Sequence, residues 1–382
     1  MFRDLLMFRC DGISTEGLHV SHSLSAQTSV VKSFHDVMAR IAKATNYSWS
    51  ERRLANQLRT LADKMDPKIR RAFMQSVKNL KDAIPRREVA DALARGKAQD
   101  AMQIVDEVLE EHGMPLLIEA TRQAARESGK VGAEYVEALL NRNQHLAPRG
   151  AQFIFDMVNP RTAAYLTEHG TKLVREITNS ARRSVELTIT ESLRDGIGPV
   201  NTARRVRDAV GLTERQTQAV ANYRRLLESR SEDALARSLR DRRFDATVSR
   251  AITSGVPLSE AQIARMSERY QERMESYRAL TIARTESIRA VSAAQGEVWE
   301  QAAAEGWFPK GAIRRYWFYT ADGKARESHV AIPELNPDGV GLDEPFETPE
   351  GTLMFPGDPD APPEETINCR CVVVTRFVPE AA

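Results

Sequence analysis

Two of the three cysteines in this 382-residue chain stand one residue apart, in the string Ile367-Asn368-Cys369-Arg370-Cys371-Val372. With His329 they are soft or borderline ligands of the kind a tetrahedral Zn²⁺ accepts, and Asp322 or Asp358 is available as a fourth. A Cys-x-Cys pair without a second pair fits packing better. On a strand its period-two geometry sets both thiols on one face and Arg370 on the other. In that reading Asn368 and Arg370 hydrogen-bond the neighbouring loop, and the thiols behave as small buried side chains. The residues alone therefore favour no metal and no cofactor. Zinc held by His329, Cys369 and Cys371 is the lesser reading, with a redox role behind it.

A second group is Arg284-Thr285-Glu286, followed at a distance by Trp317, Asp322, Arg326 and His329. Arg284, Glu286, Arg326 and His329 could line the pocket of a transferase or hydrolase. They make equal sense as a buried network of ion pairs and hydrogen bonds, since a charge left unpaired in an interior costs several kcal/mol. The weight falls on architecture. Nothing elsewhere supplies an enzyme signature: there is no His-Glu-x-x-His, no Gly-x-Ser-x-Gly and no Walker A loop. Glu127-Ser128-Gly129-Lys130-Val131 has a Gly-Lys pair without the rest of that loop and reads as a helix end. His112 and His169 each precede a glycine, a position that suits a cationic ring at a helix C-terminus.

The elements that must position these residues are mostly helices. Apolar stripes at three- and four-residue spacing run through Phe34, Val37, Met38, Ile41 and Ala42, through Leu54, Leu58 and Leu61, and through Ala101, Ile104, Val105 and Leu109. Pro67, Pro85 and Pro115 mark expected helix starts or stops. Asn159-Pro160 has the form of an N-cap with proline at the first helical position. A helix from near Thr171 carries Leu173, Ile177, Val185 and Ile189 and ends at Gly196-Ile197-Gly198-Pro199. Thr213 with Gln216, and Ser259 with Gln262, have the capping-box spacing. The second box opens a pattern that reaches about Ala304. Uninterrupted, it is a strut of about 65 Å, and a break near Thr281 is the equal alternative. After Gly306 the texture changes. Arg315 to Tyr319 reads as a strand, Ile332 to Pro363 holds 8 of the 17 prolines and reads as an irregular loop, and Thr366 to Val378 reads as a last strand.

The composition is ordinary for a folded protein, with 42% hydrophobic and 28% charged residues. The net charge of +1 conceals a division. Residues from Ala321 onward carry 13 acidic against 4 basic side chains, nine net negative charges, which leaves ten net positive ones for the rest. An arginine-rich helical part tolerant of polyanions, joined to an acidic terminal module, follows from that balance. Three cysteines make no disulfide framework, and the expected compartment is the cytoplasm. No stretch reads as a membrane span or a cleaved leader.

The order Arg284-Thr285-Glu286, Trp317, Asp322 to His329, Pro345-Phe346, Pro356-Gly357-Asp358 and Asn368-Cys369-Arg370-Cys371 resembles the phage Mu F-like head morphogenesis family. The resemblance is strong over about residues 280–376. It departs at Lys324 and Ala325, where the family usually has Arg and Thr. It implies a low-copy, non-enzymatic virion protein that is made in the host cytoplasm. Portal and capsid proteins are its implied partners, with packaged double-stranded DNA as a further one and no membrane during assembly. The expected fold is mainly α in its N-terminal and middle regions with a small C-terminal α+β domain. The expected divisions are an arm over 1–30, a helical domain over 31–148, a helical middle region over 149–305 and an α+β module over 306–382.

Overall fold

The computed structural model describes residues 47–143, 145–148, 150–320 and 322–379. The arm expected over 1–30, Cys10 and the stripe from Phe34 to Ala42 lie outside the described residues. The described chain is mainly α with a small C-terminal α+β region, as its sequence pattern leads one to expect.

Helix α1 (Trp49–Ala83) starts on a capping box in which Ser48 and Glu51 exchange side-chain and backbone bonds. It runs through Pro67 without stopping, because its face of Leu54, Leu58, Met65, Ile69, Phe73 and Val77 is buried along the whole length. Each such side chain is worth about 1.5–3 kcal/mol, which offsets the roughly 3 kcal/mol cost of an interior proline. Short helices α2 (Arg86–Ala94) and α3 (Ala98–His112) follow, and Pro85 and Pro115 do mark boundaries. Helix α4 (Pro115–Arg142) passes straight through the Gly-Lys pair expected to end a helix.

Helix α5 (Pro160–Arg194) begins where Asn159 accepts from the Arg161 amide at 3.1 Å. It therefore starts well before Thr171 and stops as expected, with Gly196 at φ 66°. Helices α6 (Pro199–Ala209), α7 (Glu214–Glu228), α8 (Asp233–Ala236) and α9 (Asp245–Ser254) lead to α10 (Glu260–Ala304). Both expected capping boxes form, at Thr213/Gln216 and Ser259/Gln262.

Helix α10 is one unbroken element of 45 residues with no interruption at Thr281. It is only partly a strut. Its first half lays Ile263, Met266 and Tyr270 on a small core shared with Tyr223, Leu227 and Val248 of α7 and α9. From Ala283 to Ala302 it is buried on almost every side, as befits a helix at the centre of a bundle. Helices α1 and α4 pack along it and on each other. Small residues permit the approach. A Cβ on Gly132 would stand 2.9 Å from the Gln295 side chain and 3.0 Å from that of Val298. Ser128 Oγ donates to the Val291 carbonyl at 2.8 Å, and Gln295 Nε2 donates to the Ser128 carbonyl at 2.7 Å.

The α+β part comprises β1 (Ile313–Phe318), α11 (Glu327–Leu335), β2 (Phe346–Thr348), β3 (Gly351–Leu353), α12 (Pro363–Thr366) and β4 (Val372–Phe377). Strands β1 and β4 pair antiparallel, from Ile313 opposite Phe377 to Phe318 opposite Val372. Strands β2 and β3 form a separate hairpin inside the proline-rich stretch, which is thus less irregular than expected. The final strand is shorter than expected, because α12 and a turn occupy 363–368. The core under this sheet draws Leu54, Ala55, Leu58 and Ala62 from α1, Ile288 and Val291 from α10, then Trp317, Ile332, Cys369, Cys371 and Val372 to Val374. Tyr47 Oη donates to the Trp317 carbonyl at 2.9 Å, and Arg59 Nη2 donates to that of Tyr319 at 2.8 Å. The start of the described chain is thereby stitched to β1.

Candidate functional site

The Asn-Cys-Arg-Cys turn sits between α12 and β4. Asn368 takes a left-handed conformation, φ 61°, which asparagine tolerates better than most residues. Its amide donates to Thr285 Oγ1 at 3.1 Å, and that hydroxyl donates in turn to the Thr281 carbonyl at 2.9 Å. Arg370 reaches across α10. Its Nη1 donates to the Arg284 carbonyl at 2.8 Å, and its Nη2 donates to the Asp66 carboxylate on α1. Ser287 Oγ donates to the same carboxylate, and Asp63 lies 3.6 Å from Arg370 Nε. Arg326 Nη2 donates to the Ile367 carbonyl, which fixes the front of the turn. One turn thus ties together α1, α10 and the start of α11.

Behind the turn lies a sealed cluster. His329 Nδ1 stands 3.6 Å from Cys369 Sγ and 3.4 Å from Cys371 Sγ. The three side chains are 1%, 2% and 2% exposed. The Cys371 amide donates to Cys369 Sγ at 3.4 Å, which bends the chain so that both thiols face the ring although neither lies in a strand. On the far side of the imidazole, Glu365 Oε2 is 3.1 Å from Nε2 and accepts from Ser328 Oγ at 2.8 Å. Trp317 meets the ring edge-on at 5.3 Å between centroids. The thiols share their charge unequally. The hydrogen bond from Cys371, helped by His329 and opposed by burial, holds Cys369 well below the usual thiol range. The same bond, with burial, pushes Cys371 well above it.

Glu286 belongs to another network. His169 Nε2 lies 2.8 Å from its Oε2, and Arg289 Nη1 donates to its Oε1 at 2.7 Å. Burial disfavours this carboxylate, but Arg289 and then His169 outweigh burial and hold its pKa below the ordinary value. Arg289 Nε also donates to the Gly357 carbonyl at 2.6 Å, so the Pro-Gly-Asp turn docks on α10. Asp358 holds that turn, accepting from the Met354 and Asp360 amides at 2.9 Å each.

The four residues considered as a catalytic group are therefore divided. Glu286 pairs with His169 and Arg289, His329 with the cysteines and Glu365, Arg326 with a backbone carbonyl, and Arg284 offers its own carbonyl to Arg370. No hydrogen bond or ion pair joins Glu286 to Arg326 or His329 among the described residues. Neither aspartate considered as a fourth metal ligand joins the cluster. Asp322 is exposed and accepts from the Lys324 amide at 3.0 Å, and Asp358 serves its own turn.

His169 is a buried mid-helix residue rather than a C-terminal cap, whereas His112 does end α3. The sequence pattern marks none of Asp66, Arg289 and Glu365, and it marks His169 only as a helix cap. A carboxylate within an otherwise apolar face, as at Asp66 between Met65 and Ile69, is the signal that was there to find.

The geometry defines a class: a mainly helical protein whose C-terminal α+β module is locked onto a central helix by an Asn-Cys-Arg-Cys turn. Residues 242–374 match the model of the family described as Phage Mu protein F like protein. Over 100 residues the chain is also 36% identical to "Uncharacterized protein YqbB" of Bacillus subtilis (strain 168). That similarity covers 25% of this chain and 30% of the relative's length. No solved structure matches.

Proposed function

We propose that the chain is a minor head protein of a tailed phage that joins the portal vertex or the inner capsid during head assembly and influences genome packaging or ejection. The observation that carries this reading is the family match over 242–374. Within that span the side chains of Thr285, Glu286, Arg326, His329 and Arg370 all serve bonds between the chain's own segments. Side chains committed to holding elements together suit a part that must keep its shape within a larger assembly. The portal protein and capsid proteins are its proposed partners, and the virion its destination after assembly in the host cytoplasm.

No helix among the described residues is long and apolar enough to cross a membrane. Packaged DNA is a further proposed partner, on the strength of the basic excess outside the terminal module. Many arginines of the middle helices already face acids, among them Arg161 with Glu297, Arg182 with Asp106 and Arg224 with Glu228. DNA contact is therefore the weaker of these associations, and it should fall away steeply with salt.

Mass spectrometry of purified particles tests the proposal. The chain should be present at far fewer copies than the major capsid protein, and asymmetric cryo-EM of the particle should place its density against the portal. Recovery from infected-cell lysate alone, with none in particles, would overturn the reading.

A further inference from the structure

We propose that His329, Cys369 and Cys371 bind one zinc ion that pins α11 to the turn entering β4. The distances fit. Zn–S bonds of about 2.3 Å and a Zn–N bond of about 2.0–2.1 Å at tetrahedral angles place an imidazole nitrogen about 3.5 Å from a thiolate sulfur. His329 Nδ1 lies 3.6 and 3.4 Å from the two sulfurs, and the three donor atoms all lie within 4.8 Å of one another.

The environment fits as well. An imidazole that ligates a metal through one nitrogen commonly presents the other N–H to a carboxylate, which fixes its tautomer and orientation. Here Nδ1 faces the sulfurs, while Nε2 faces Glu365, itself held by Ser328. Nε2 has no well-aligned hydrogen bond despite its burial, so a small turn of the ring would complete that contact. Two thiolates and a neutral imidazole offset the double positive charge of the ion, so the filled site adds no net charge to an interior that is 1–2% exposed. The location also gives the ion a purpose. Segment 336–371 has only a hairpin of two three-residue strands and a four-residue helix of its own. A metal joining its far end to α11 would close that excursion much as a disulfide would.

The proposal assigns no catalytic role to the ion and stands whether or not the chain enters the virion. Full-length protein, expressed with zinc and purified without chelators, should contain about one zinc per chain by elemental analysis, the ion held by these three side chains with its fourth position open to water. Cobalt exchanged into wild-type protein should give a thiolate-to-cobalt charge-transfer band and the intense visible bands of a tetrahedral ion. Cys369→Ser, Cys371→Ser and His329→Gln should each lose the metal. Cys10→Ser is the control and should retain it. Glu365→Gln should bind about 10–100-fold more weakly.

If a ligand variant fails to fold, blocking the thiols of wild-type protein with a mercurial still gives an answer, since zinc should be released into a chromogenic chelator as the thiols react. Two results would overturn the assignment: wild-type protein without zinc and without the cobalt–thiolate band, or zinc retained in both cysteine variants.

Discussion

Arg370 Nη2 donates to the carboxylate of Asp66 across 304 residues of sequence. This bond joins the first described helix to the turn that carries the two buried cysteines. Both side chains are about one-seventh exposed, so the pair is shielded from solvent without being fully desolvated. Removing one partner leaves the other charge largely buried. Arg370→Ala and Asp66→Ala should each cost about 2–3 kcal/mol, somewhat less than a fully buried pair. The double variant should cost less than the sum, since the second change removes an already orphaned charge. Urea melts of the four proteins measure this, and strict additivity would show that the two residues are not coupled.

Glu286 yields a prediction about pH. Its folded pKa lies below the ordinary glutamate value of 4.5, chiefly because Arg289 and His169 overcome the burial penalty. A depressed carboxylate contributes stability that is complete above its unfolded pKa and lost as pH falls through the folded one. Glu286→Gln should therefore be destabilised by about 2–3 kcal/mol near neutrality, the scale of charged hydrogen bonds. The gap to wild type should stay constant down to about pH 5 and narrow below the ordinary glutamate range. Thermal melts across that range provide the test. A gap that widened in acid would contradict the assignment of the charge to Glu286.

The Pro-Gly-Asp turn makes a steric demand. Gly357 has φ 85°, and a Cβ there would stand 3.2 Å from Arg289 Cα and 3.3 Å from Arg289 N on α10. The obstacle is helix backbone, which cannot step aside as a flexible side chain would. Gly357→Ala should cost about 1–3 kcal/mol from the backbone conformation alone. The Arg289-to-Gly357 hydrogen bond should weaken with it, seen as faster amide exchange in residues 354–360. Unchanged stability would mean that the turn lifts off the helix freely.

Much of this architecture was legible before any coordinates. The capping boxes at Thr213/Gln216 and Ser259/Gln262 are local, fixed by residues three apart, and both form where the spacing says. The strand through Trp317 was visible for the same reason. Pro67 misled because a proline is read as a helix stop, and only the apolar face of α1 on both sides of it shows why the helix continues. Ser128-Gly129-Lys130 misled because glycine there serves close approach, with a Cβ on Gly129 falling 1.9 Å from the Phe155 ring. The site divides in the same way. Motif residues could be picked out by type and order. Their true partners, Asp66, His169, Arg289 and Glu365, come from other turns or other helices, and no spacing rule connects them.

The last prediction links stability to assembly. Glu286 on α10 and Gly357 in the Pro-Gly-Asp turn both meet Arg289, whereas Arg370 bonds the Arg284 carbonyl and Asp66. If the module serves as a rigid part of the head, the defect in assembly should follow the loss of stability whichever residue causes it. Glu286→Gln, Arg370→Ala and Gly357→Ala, introduced into the phage, should give head yields that rank with their melting temperatures. A compensating stabilisation elsewhere, such as Ser249→Ala on the exposed face of α9, where alanine has the higher helix propensity, should recover part of the yield in each. If Glu286 instead served chemistry, Glu286→Gln would stand off that line, with normal heads, near-normal melting and a failure only after infection. Counting particles by electron microscopy beside plaque assays separates the two outcomes, and the buried, fully paired setting of Glu286 leads us to expect the first.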